Sequence, residues 1–174
     1  MKITGAAVGH IILFGIIVFF SFQLLTQDPP WILLDAMNLV IHEAGHIVFM
    51  IFGKFIEILG GSLLQIIVPI SFVVYFLLKE EYPGVFFSIF WLGDSVINVA
   101  TYMADARVRQ LPLIADGLIH DWNWLFTEMN MLSKAEIIGS IFFYCGAFFL
   151  IISIAGIIIT IGVESGLIKR RLKP

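Results

Sequence analysis

Polar residues are sparse in this chain and fall in clusters that cut it into five apolar runs. The first covers about residues 8–25 and stops at Gln27-Asp28-Pro29-Pro30. The second covers 31–52 and is closed by Gly53-Lys54; the third, 59–78, starts at Gly60-Gly61 and carries Pro69 as a predicted kink. The turn Lys79-Glu80-Glu81-Tyr82-Pro83 leads to the fourth run, 84–104, and the fifth covers 135–163 before a basic tail. Each run is near the roughly 20 residues that carry a helix across about 30 Å of hydrocarbon. A mixed segment, 105–134, holds most of the remaining polar residues. Strand-like alternation is missing, so the pattern predicts helices rather than a closed barrel. The expected fold is an all-α integral membrane protein, a bundle of about five transmembrane helices in one domain over 1–174.

Composition agrees. The chain is 60% hydrophobic and 13% charged, with mean hydropathy +1.01, whereas ordinary soluble domains are about 45–50% apolar and about 25% charged. A net charge of -3 offers no nucleic-acid surface, so membrane lipids are the expected surroundings. One cysteine, Cys145, excludes an internal disulfide and a multi-thiolate metal site, and its apolar neighbours predict core packing. Lys2 and the apolar stretch after it resemble a secretory signal, but Ser21-Phe22-Gln23-Leu24-Leu25 lacks the small residues of a cleavage site. An uncleaved first span is expected, with His10 at the interface. Five crossings would set Lys169, Arg170, Arg171 and Lys173 against Lys2, Lys54, Arg107, Arg109 and Lys134, a near balance that does not orient the chain. A multi-pass protein of the cell membrane is the expectation.

The second run contains His42-Glu43-Ala44-Gly45-His46. Residues four apart share a helix face, so both imidazoles can reach one metal ion, with Glu43 beside them as a base for metal-activated water. Ionisable groups are costly in hydrocarbon, which strengthens a functional reading. Asp35 and Asn38 extend the same face, and Asp94, Asn98, Thr101 and Asp105 form a matching stripe in the fourth run. His42 stands eleven residues beyond Trp31, and Asp94 eleven beyond Pro83, which puts both roughly 16 Å along their helices, near mid-membrane. Asp94 is therefore the expected third ligand, with Asp105 and His120 as rivals. Two imidazoles, a carboxylate and a water would complete the four-coordinate arrangement of one catalytic Zn2+. Asp35 and Asn38 are expected to line the water path or orient the histidines, and Asn98 to bond a neighbouring helix or position substrate carbonyls.

These residues, with Phe52-Gly53 and Gly60-Gly61, resemble the intramembrane site-2-protease family of zinc metallopeptidases. The likeness covers runs two to four. It implies a three-helix catalytic core, zinc held by His42, His46 and a later aspartate, and Glu43 as general base. Trp91-Leu92-Gly93-Asp94-Ser95 keeps that family's Leu and Asp but lacks its Asn and Pro, and no inserted regulatory domain is present. A transmembrane peptide is the implied substrate. Alternatives from the same residues are a zinc hydrolase of a lipid amide or small amphiphile, and a non-catalytic metal-binding pseudo-protease. The segment 116–124 reads as an interfacial loop with Trp122 and Trp124 at headgroup depth. Its sharper reading makes Asp105, Asp116, His120 and Asp121 a lid or a second metal site.

Overall fold

The computed structural model describes residues 5–112 and 119–165; Lys2, Asp116 and the basic tail with Lys169, Arg170, Arg171 and Lys173 lie outside the described residues. Those described form α1 (Gly5–Thr26), α2 (Leu34–Phe49, prolonged by a 3-10 turn over Met50–Phe52), α3 (Lys54–Leu78), α4 (Tyr82–Asp105), α5 (Asp121–Glu128) and α6 (Ala135–Glu164, entered through a 3-10 turn over Leu132–Lys134). No strand occurs among them. Five of the helices are long and apolar enough to cross a membrane. In lipid a helix satisfies its own backbone, and the broad apolar surface of α1, α3 and α6 suits hydrocarbon.

Element ends follow local chemistry. Gly53 adopts φ 89°, a conformation without penalty for glycine, and turns the chain so that α3 starts at Lys54 rather than at residue 59. Pro83 stands in the first turn of α4, where its missing N–H costs nothing. Pro69 is buried inside α3, which continues through it.

The axis of the bundle is α4: 67% of its apolar window is buried, against 17–33% in the other four long helices. Helix α6 runs antiparallel to it, with Gly139 against Ala100 and Ala104, Gly146 against Gly93, and Gly156 against Phe86. Helix α3 is also antiparallel to α4, pairing Gln65 with Asn98 and Ile58 with Met103 and Ala106. Helix α1 runs with α4. Its His10 bonds Glu164 at the far end of α6 (2.6 Å), and Gln27 and Asp28 at its other end share a cavity with Thr101, Ala104, Gly139 and Ser140.

The end of α1 and the start of α3 thus lie at the same end of the bundle. Helix α2, between them, leaves that end and returns to it. Its first two turns touch the middle of α4, where Asn38 meets Asp94, and its later turns lean on the beginning of α3, where His46 meets Glu57. Gly45 and Gly60 make that lean possible, because a Cβ on either would strike backbone of the other helix. At the same end, α5 lies across the bundle and buries Trp122, Leu125 and Phe126 against Ile58, Met103 and Ala135. Cys145, expected in the core, is exposed on α6.

Candidate metal centre

His42 and His46 stand one turn apart on α2, and their rings meet edge to face with centroids 4.9 Å apart. His42 is buried against α3 because Gly61 leaves room for the ring; a Cβ there would lie 2.5 Å from Nε2. Facing both is Asp121, the first residue of α5: its Oδ2 is 2.8 Å from His42 Nε2 and 3.2 Å from His46 Nε2. One ligand atom from each of these residues lies within 4.8 Å of the others, so the group can hold a metal ion.

The hydrogen bonds behind the rings test that fit. His42 Nδ1 is 3.2 Å from Gln65 Oε1, and His46 Nδ1 is 2.9 Å from the carbonyl of Glu57. The Glu57 carbonyl can only accept. Gln65 also presents its oxygen, because its Nε2 donates to Asn98 Oδ1 at 2.8 Å. Two neutral imidazoles carry two protons in all, and the Nδ1 positions use both. With both rings neutral, the two Nε2 lone pairs converge on a carboxylate oxygen, so a cation, either a metal ion or a further proton, must stand among them. Ligand atoms in a tetrahedral N/O zinc site are roughly 3.3 Å apart, close to the separations found. Without an ion there, protons on the imidazoles take its place: burial raises the Asp121 carboxyl, but hydrogen bonds from His42 and His46 outweigh burial and hold the carboxyl below its ordinary value of 3.8. It is ionised at neutral pH, as a ligand must be.

The carboxylate that faces both imidazoles is therefore Asp121, and not Asp94. Asp94 is fully buried, accepts from Asn38 Nδ2 at 2.8 Å, and has one oxygen without a partner among the described residues. The polar stripes of α2 and α4 do face each other, as their periodicity predicts, but in a different register: Asp94 meets Asn38, and Asn98 donates to Asp35 (2.8 Å). Slanted α2 carries its histidines away from Asp94 toward α3 and α5. Asp35 is held by the amide of Ile32 at 2.7 Å, and Asn38 Oδ1 accepts from Trp91 Nε1 at 2.8 Å. Asp35, Asn38 and Asn98 thus form one hydrogen-bonded chain, buried except at Asn98, that reaches His42 through Gln65.

Asp105 and His120 lie apart from that group and build the loop that delivers Asp121. Asp105 accepts the amides of Gln110 (2.8 Å) and Leu111 (3.1 Å), and faces His120 Nε2 at 3.2 Å. His120 Nδ1 caps α5 by accepting from the Asn123 amide. Both nitrogens of His120 are engaged in these bonds, and it does not join His42, His46 and Asp121. Asp116, from the same expected lid or second site, lies outside the described residues. Tyr102 places Asp121 more directly, its hydroxyl accepting the Asp121 amide at 3.0 Å.

Glu43 is exposed and lines a cavity of about 760 Å³ together with His42, His46 and Asp121. Asn98, Thr101 and Tyr102 supply polar groups to its wall, and Trp31, Leu39 and Ile119 an apolar side. Sequence reasoning overlooked Gln65 and Tyr102. A lone glutamine inside the otherwise apolar third run was the available signal for the first; Tyr102 had none, since tyrosine is ordinary near a span end. No protein-family model, curated protein or solved structure matches the chain.

Proposed function

We propose that the protein is a zinc-dependent peptidase of the membrane, similar in its catalytic chemistry to the site-2 proteases. The observation that carries this reading is the convergence of two Nε2 atoms and a carboxylate on one point, with Glu43 in the same cavity. His42, His46 and Asp121 would hold the ion. When bound, zinc supplies Lewis acidity, polarising a carbonyl and lowering the pKa of water toward about 7.

Glu43 takes a proton from the attacking water and passes it to the leaving nitrogen. The water oxygen bonds to the carbonyl carbon, the C–N bond breaks, and the products are a carboxylic acid and an amine. Gln65 and the Glu57 carbonyl hold both imidazoles with Nε2 toward Asp121, where an ion would be held, and Tyr102 steadies Asp121. The substrate in this reading is a membrane-anchored peptide, and the setting is the cell membrane. The apolar side of the cavity, Trp31, Leu39 and Ile119, also suits a lipid amide, which the same chemistry would hydrolyse.

Zinc-loaded protein in bilayers, incubated with single-span peptides and with lipid amides, separates these. New peptide termini in wild type, lost in Glu43→Gln at unchanged zinc content, are expected. Fatty-acid release without peptide cleavage would exclude the peptidase, and undiminished hydrolysis by Glu43→Gln would remove the general base.

A further inference from the structure

Three helix ends meet at the metal centre. Glu57, whose carbonyl holds His46, is in the first turn of α3; Tyr102, which holds the Asp121 amide, is in the last turn of α4; Asp121 opens α5. Depth follows from length. Helices α3 and α4 have 25 and 24 residues. Each makes about 36 Å of helix against about 30 Å of hydrocarbon, so about 3 Å projects at either end. Glu57 and Tyr102 are each three residues in from a helix end, a rise of about 4.5 Å. The ligands therefore lie within a few ångströms of the hydrocarbon edge, on the side where Lys54, Arg107 and Arg109 are exposed. Eight-residue α5, too short to cross, covers this end with Trp122 and Phe126 inward and Thr127 and Glu128 exposed. Equal spacing along the second and fourth runs pointed to mid-membrane. It failed because α2 slants and returns to one end.

We infer that the centre works at the headgroup boundary and cleaves the juxtamembrane stretch of a single-span protein, just beyond the apolar span rather than within it. This rests on the peptidase reading of the same site. Chemistry at that depth favours such a substrate. The last carbonyls of a spanning helix have no partner within the helix, so backbone there extends without breaking hydrogen bonds inside hydrocarbon. The cavity is built to match. Trp31 and Ile119, 55% and 49% exposed, offer an apolar wall to the end of a span, and Lys54 and Glu57 line the cavity for the polar flank. Water adds across the C–N bond and no further reactant is needed.

Two measurements test this. In a Cys145→Ala background, nitroxides are attached at Ile47→Cys, beside His46 on the lipid face, and at Ile119→Cys on the cavity wall. A label at Ile67→Cys, halfway along α3, serves as the mid-membrane reference. Relative access of oxygen and a water-soluble nickel chelate in vesicles reads depth without any metal in the site. Headgroup-level access at residues 47 and 119, severalfold more nickel-accessible than residue 67, is expected; access equal to that at 67 would overturn the placement. Second, zinc-loaded protein is given single-span peptides whose sequence is shifted outward residue by residue, with products located by mass spectrometry. Cuts should stay at the boundary as the sequence shifts, and cuts at the span centre would overturn the substrate assignment. If no peptide is cut, or only lipid is hydrolysed, the peptidase reading falls and the juxtamembrane substrate with it, while the label depths decide the position of the centre independently.

Discussion

Replacing Gly61 by alanine probes the centre through a single methyl group. The new Cβ would stand 2.5 Å from His42 Nε2, 2.7 Å from Cδ2 and 2.8 Å from Cε1. Ordinary carbon contacts lie at about 3.5 Å, so the ring must retreat by about 1 Å. It has little room to do so while Nδ1 stays on Gln65 and Nε2 on Asp121. Zinc ligands are held to within about 0.2 Å of their ideal distances, so the displaced ring is a poor donor. Disturbing a ligand's support costs about 10–100-fold in metal affinity, or about 1.4–2.7 kcal/mol. Zinc competition against a chromophoric chelator, in detergent or nanodiscs, measures this directly. The neighbouring variant Gly60→Ala is the comparison. Its Cβ meets Phe49 and the carbonyl of Gly45, not a ligand, and opens the α2–α3 crossing. It should lower stability by about 1–3 kcal/mol, seen as a fall in Tm, with a smaller effect on zinc. A folded Gly61→Ala protein that binds zinc as wild type does would refute the placement of His42 in the site.

Three further outcomes are expected. Asp121→Asn should weaken zinc binding by more than the roughly 100-fold that outer partners cost, whereas Asp94→Asn should leave stoichiometric zinc; the reverse result would restore Asp94 as the ligand. Gln65→Leu should cost about 10–100-fold in zinc affinity by stranding the His42 Nδ1–H, and Gln65→Glu, which keeps an acceptor, should recover most of it; equal affinity in all three would mean that Gln65 does not orient the ring. Lowering the pH from about 8 to about 5 should release zinc, because protons compete for imidazole nitrogen. Asp121, held below 3.8 by the histidines, stays ionised through that window, so release should follow two imidazole protonations. Asp121→Asn, with a weaker site, should lose zinc at higher pH. Retention of zinc at about pH 5 would argue against histidine ligands.

The sequence by itself determined what depends on composition and short-range spacing. Apolar runs of membrane length implied helices, because a backbone in hydrocarbon must bond to itself. Spacing of four residues put His42 and His46 on one face, and spacings of three and four extended that face to Asp35 and Asn38. Facing polar stripes were also legible, since buried polar groups seek one another. Tertiary structure alone decided which groups meet. Periodicity gives the direction of a side chain around its helix, but not the tilt of that helix or its depth. Helix α2 slants from α4 to α3 across a close approach at Gly45 and Gly60, so Asn38 takes the position opposite Asp94 and the histidines go elsewhere. The carboxylate that faces the histidines then comes from Asp121, seventy-five residues after His46, delivered by a helix capped by His120 and a loop pinned on Asp105. A contact of that range is set by how three helix ends pack, which no local pattern encodes.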